Sequence, residues 1–146
     1  MNHDIKKERW TRWDPAINGL EEIIYHTTTF LDNKEGITLT IVGWNRPPEA
    51  PTFRLFFKAP VIFYSKTGDS LCLISDNPPL IDYGPVAVDK WAFYKVTNSQ
   101  QIARLRKSFF EAAYNLPLQH FIIAEVESNT HIVTVEEPIA TWIKHE

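Results

Sequence analysis

Five histidines and a single cysteine are the side chains of this sequence best suited to hold a metal, move a proton or attack a carbonyl. His3 and His145 lie where chain ends are expected to fray, and His26 sits among β-branched and aromatic neighbours as a solvated or hydrogen-bonded ring. His120 and His131 flank a hairpin turn read as Glu127-Ser128-Asn129-Thr130. With Ser128 and Asn129 central in that turn, His131 falls opposite Val126 and His120 opposite Glu137. The two rings then share a sheet face but stand six residues apart, roughly 20 Å at ~3.4 Å per residue. That separation forbids a shared metal. No HxH, HExxH or CxxC spacing occurs elsewhere, so no metal is expected. His120 and Glu137 would be in contact range across the strands, either as an acid–base couple or, the favoured reading, as a pair that steadies the sheet end.

Cys72 lies in LCLIS, where a thiol reads as a small buried hydrophobe rather than a thiolate nucleophile. As the only cysteine it excludes an intramolecular disulfide. There is no GxSxG elbow, no SxxK and no glycine-rich phosphate loop among five glycines. An RNP-like aromatic strand is also absent. The sequence therefore predicts no catalytic residue and no cofactor.

Arg106 is the odd residue of an otherwise apolar helical arc. Its stem can lie along that arc with the head at the rim or paired to a sheet carboxylate. Alternatively it faces a pocket between helix and sheet and meets an anionic ligand. Two proline-rich loops supply the surface candidates: Trp44, Arg46 and Glu49 in WNRPPEAP, and Asp76, Asp82 and Tyr83 in SDNPPLIDYGP. Prolines lower the ordering cost of a binding loop, and Trp, Tyr and Arg are enriched where binding energy concentrates.

The elements that must position these residues read mainly as strands. Residues 22–31 and 37–44 form a hairpin across the polar linker DNKEG, with Ile37, Leu39 and Ile41 alternating against Thr38, Thr40 and Val42. Residues 52–66 place Phe53, Leu55 and Phe57 on one face, and Pro60 marks an edge, a bulge or a bend into a second strand. LCLIS and KWAFYKV are further strands, and HFIIAEV with HIVTVEE closes the hairpin described above. PIATWIKHE is a tail that returns Trp142 and Ile143 to the body. Between these strands, Asn98 or Ser99 caps a helix predicted over about 99–115. Its stripe of Ile102, Leu105, Phe109, Ala112, Ala113 and Leu116 faces the core. The fold class expected is α+β: an antiparallel sheet with this one main amphipathic helix on one face. Residues 1–13 read as a loose arm or short helical turn that lays Trp10 and Trp13 on a single domain spanning 1–146.

Composition limits the function classes. At 146 residues, with 44 % hydrophobic and 23 % charged side chains, the chain is long enough for one packed domain. The first residues lack the apolar stretch of a secretory signal, and no apolar run reaches the ~20 residues of a membrane helix. A cytoplasmic protein is expected. A net charge of −3 argues against nucleic acid as partner. Charge is nevertheless segregated: residues 90–107 are basic, whereas 69–89 and 111–137 are acidic. Packed together these segments neutralise one another; left apart they offer an acidic face to a basic protein partner.

The strand KWAFYKV, the capped helix NSQQIARLRKSFFEAAYN and the closing hairpin HFIIAEVESNTHIVTV resemble the second half of small bacterial domains of the toxin-immunity type. The likeness spans about a third of the chain and transfers no site residue. It implies a non-enzymatic protein-binding module that uses an acidic and aromatic surface. The alternative is a small enzyme or small-molecule-binding protein with its pocket around Arg106.

Overall fold

The computed structural model describes residues 7–15, 19–21, 23–44, 46–47, 49–68, 79–82, 91–108, 115–125 and 128–143. Strands take up 59 % of these residues and one short helix 9 %, so the fold is close to all-β. The α+β expectation is thereby corrected. The helix, α1 (Gln100–Ser108), is a cover on one sheet and not a second structural layer. The expected continuation of its stripe through Phe109, Ala112 and Ala113 lies outside the described residues.

Among the described residues ten strands form two sheets. The smaller has the order β10-β4-β3-β2 and is antiparallel throughout, built from β2 (Tyr25–Asn33), β3 (Gly36–Gly43), β4 (Thr52–Lys58) and β10 (Ile139–Ile143). Alternation in β3 and β4 works as expected: Ile37, Leu39, Ile41, Phe53, Leu55 and Phe57 are all buried. The β2–β3 hairpin is tighter than the linker suggested, with only Lys34 and Glu35 between the strands. Gly36 follows at φ +143, with Phe57 O only 2.1 Å from where a Cβ would stand, so no other residue fits there unstrained. The expected tail is β10, an edge strand whose Trp142 ring meets Phe53 at 5.4 Å.

The larger sheet has the order β5-β9-β8-β7-β1-β6. Its strands are β5 (Val61–Gly68), β9 (Ser128–Thr134), β8 (Gln119–Ala124), β7 (Phe93–Thr97), β1 (Arg9–Arg12) and β6 (Leu80–Asp82). The chain changes sheets at Pro60, between β4 and β5, which is the bend that proline foreshadowed. Residues 9–12 are no loose arm. They form an internal strand, antiparallel to β7 and parallel to β6, that buries Trp10. Four residues cannot announce a strand by periodicity; β1 is fixed by its two neighbours.

The sheets pack face to face through rings. Phe53 and Tyr25 meet Phe93 at 5.6 and 5.5 Å, and Phe57 meets Phe121 at 5.8 Å. Trp13 adds a tilted contact with Phe121 at 4.9 Å. Among the described residues the aromatic rings are mainly buried, where such pairs add about 0.5–1.5 kcal/mol beyond burial. On one side Glu125 ties the sheets together. Its buried carboxylate accepts the Thr27 N–H at 2.6 Å and the Thr130 hydroxyl, and Lys66 Nζ lies 3.4 Å away.

Candidate functional site

The second face of the six-stranded sheet, under α1, holds the polar chemistry. The hairpin closes around Glu125 and Ser128, whose backbone groups bond at 2.7 Å, and not around Ser128 and Asn129. The register is His120 opposite Val133 and Ile122 opposite His131. The histidines are thus diagonal neighbours on adjacent strands, with His120 Nε2 2.9 Å from His131 Nδ1. The 20 Å separation expected from the turn is overturned, and so is the His120–Glu137 couple. Glu137 instead accepts from Lys95, one point where the basic and acidic segments do neutralise each other.

The pair continues at both ends. Ser99 Oγ stands 2.8 Å from His120 Nδ1, and Thr67 Oγ1 stands 3.3 Å from His131 Nε2. Four side chains from β5, β9, β8 and the start of α1 make one hydrogen-bonded line. Each neutral imidazole has a single N–H, so the line runs in one of two polarities. In one, Ser99 donates to His120, His120 to His131 and His131 to Thr67; in the other every proton is reversed. The Trp10 ring stands edge-on to His131 at 5.9 Å, and Tyr94 lies 6.2 Å from Trp10, so the pair has aromatic neighbours. Burial pushes His120 down to about 3, helped by the proximity of His131, and pushes His131 down to about 4. Both rings are neutral at pH 7.

Ser99 is placed by helix-start chemistry. It follows Asn98, held at φ 54, and its Oγ accepts the Ile102 N–H at 3.0 Å as an N-cap. Glu8 Oε1 accepts the Gln100 N–H at 2.9 Å while Oε2 accepts Trp10 Nε1–H, which joins β1 to the first turn of α1. The capping oxygen predicted for this helix is therefore also the outer end of the histidine line.

That end opens on a cleft of about 570 Å³ lined by Val96, Asn98, Ser99, Ile102, Ala103, Arg106 and Leu118. Four walls are apolar, and the polar groups come from the helix start and from Arg106. Arg106 Nη2 donates to the Leu116 carbonyl at 3.1 Å, so the guanidinium is held beside the cleft. A smaller cavity of about 120 Å³ lies between β2 and β5, lined largely by threonines beside the Phe30–Tyr64 stack.

The loop candidates among the described residues do not converge on this site. Trp44 is half exposed and meets His26 edge-on at 5.6 Å. Arg46 pairs with Glu21 at 2.6 Å. Asp82 ends β6 at the far edge of the larger sheet, exposed. Asp76 and Tyr83 lie outside the described residues, as does Cys72. Of the candidate binding residues that are described, only Arg106 lines the cleft, where the expected cap residues Asn98 and Ser99 and the stripe residue Ile102 also stand. Ser99, His120 and His131 were missed as a unit. Their signal was the shared strand face of the histidines, which a turn set at Glu125–Ser128 converts into contact.

Among the described residues no cluster of three or more metal-binding side chains occurs, and no helix is long and apolar enough to cross a membrane. Compared with protein-family models, curated proteins and solved structures, the chain matches none.

Proposed function

We propose that the protein binds a small amphiphilic molecule, with an apolar body and a carboxylate or similar polar head, in the cleft beside α1. The observation behind this reading is the cleft itself: an open groove of about 570 Å³ with four apolar lining residues and polar groups from Asn98, Ser99 and Arg106. Val96, Ile102 and Leu118 would take the body, with Asn98, Ser99 and Arg106 reading the head. The test is titration with hexanoate, with hexanol as the neutral analogue, followed by methyl NMR. Shifts confined to Val96, Ile102, Ala103 and Leu118 are expected, stronger for hexanoate. Ala103 is exposed at the rim, so Ala103→Trp should block the cleft and abolish the shifts without disturbing the core. Scattered or absent shifts at millimolar hexanoate would refute the reading.

A second reading, a protein-docking module of the immunity type, draws on a different observation. Phe30 and Tyr64 are 40 and 38 % exposed on the neighbouring β2 and β5 and stack on each other at 4.3 Å. An exposed aromatic pair of this kind fits a protein partner. Asp82, on β6 at the opposite edge of the larger sheet from β5, does not adjoin the pair. Under this reading Tyr64→Lys removes partner binding and leaves hexanoate shifts intact.

A further inference from the structure

Three features go beyond ligand binding: the threonine-lined cavity between β2 and β5, the exposed Phe30–Tyr64 stack, and the Ser99–His120–His131–Thr67 line. The cavity is small and its one cation, Lys66, already faces the Glu125 carboxylate. Nothing in the fold says what would cover the stack. The line is different, because it joins a hydroxyl lining a cleft to a pair of bases.

We infer that Ser99 is an acyl-accepting nucleophile, with His120 as its general base and His131 as the residue that positions His120, so that the cleft hydrolyses esters of short apolar acids. The inference rests on the cleft being a ligand site. Its geometry meets the pattern for an activated hydroxyl: nucleophile and base within hydrogen-bond reach at 2.8 Å, and the base held from behind by a third group at 2.9 Å. Ser99 is half-buried and faces the cleft, whereas His120, at 3 % exposure, is shielded from competing water. The apolar walls suit an acyl chain.

Ser99 Oγ bonds to the ester carbonyl carbon and its proton passes to His120 Nδ1. The Nε2–H of His120 leans on His131 Nδ1, which spreads the charge that forms on the ring, and His131 in turn rests on Thr67. Collapse of the tetrahedral adduct breaks the carbon–alkoxy bond, and the alcohol leaves with the proton from His120. Water then attacks the acyl-serine by the same route, returning Ser99 and a carboxylic acid; no oxidant or cofactor is required. The start of α1 supplies its positive dipole end to the oxygen that sheds the proton, an effect partly offset by the Glu8 carboxylate on the Gln100 amide. The low basicity of the buried His120 limits the rate but keeps the ring neutral and ready throughout the physiological range.

The experiment treats the full chain with diisopropyl fluorophosphate and, separately, with p-nitrophenyl butyrate. Peptide mapping should find the phosphoryl adduct on Ser99, with fluoride released. Butyrate ester hydrolysis should fall by about 100-fold or more in Ser99→Ala and His120→Gln. Ser99→Thr retains hydroxyl and cap, and should keep part of the activity. His131→Gln should lower kcat with KM unchanged, which a general loss of structure would not do. If the wild-type protein gives no adduct at Ser99, or hydrolyses the ester at a rate indifferent to Ser99→Ala, the inference is wrong. Hexanoate shifts that persist in that case leave the binding reading standing; their loss as well removes both.

Discussion

Phe121 points from β8 toward the smaller sheet, whereas His120, its neighbour on the same strand, points toward α1. The alternation of a single strand thus separates two environments. Between the sheets, Phe53, Phe57, Phe93, Phe121 and Trp13 make a nearly continuous ring core. On the other side the same sheet buries His120 beside the partly buried His131 and ties the two rings to hydroxyls at both ends. An apolar layer tolerates many sequences of suitable volume, but a buried polar line requires each donor to meet its acceptor. The first layer accounts for stability, and the second has the specificity expected of a working site.

The largest effect should come from the ring core. Phe53 is fully buried and touches Tyr25, Phe93 and Trp142. Phe53→Ala should cost roughly 3–5 kcal/mol in denaturant unfolding, from lost transfer energy and the cavity left behind. A loss below about 1 kcal/mol would mean that the sheets do not pack as described.

Acid should act on the other face. The two histidines titrate near 3 and 4 when folded but near 6.5 when unfolded, so between those values the unfolded chain binds more protons. Stability is then complete above about pH 6.5 and falls as pH drops below it, levelling only near the folded values. From pH 7 to pH 5 the loss should be about 4 kcal/mol for the pair. His131→Gln should roughly halve that slope, whereas Phe53→Ala should leave it unchanged. Equal slopes in all three proteins would place the titration elsewhere.

These two layers differed in how far the sequence disclosed them. The ring core was readable because alternation in β3 and β4 depends only on local order: Ile37, Leu39, Ile41, Phe53, Leu55 and Phe57 are buried as the pattern required. Fold class was not, since a capped amphipathic stripe looks the same whether its helix is a main layer or a short cover. The histidine pair depended on register, and register hangs on the turn. Setting the turn at Ser128–Asn129 keeps both rings on one face yet displaces each along its strand, turning a 2.9 Å contact into a long gap. Ser99 was legible as a cap, but a sequence does not say what else its oxygen touches. Arg106 was identified by its misfit in the apolar arc, and it does line the cleft.

The smallest effect separates the two duties of Ser99. Its oxygen caps α1 through the Ile102 amide and also meets His120 Nδ1. Ser99→Ala removes both, which should cost about 2 kcal/mol: about 1 for the cap and about 1 or more for a buried ring nitrogen left without its partner. Ser99→Asn supplies another good capping oxygen, so it should recover the helix share, about 1 kcal/mol, and leave the imidazole share lost. Ser99→Thr keeps a hydroxyl in place for both and should stay within about 0.5 kcal/mol of wild type. Paired urea midpoints for the three variants at pH 7 resolve the contributions. If Asn restores full stability, the oxygen matters only to the helix and the bond to His120 contributes nothing to the folded state. If Asn is no better than Ala, the cap is dispensable and the histidine line alone fixes Ser99, leaving its second face as tightly determined as the ring core opposite.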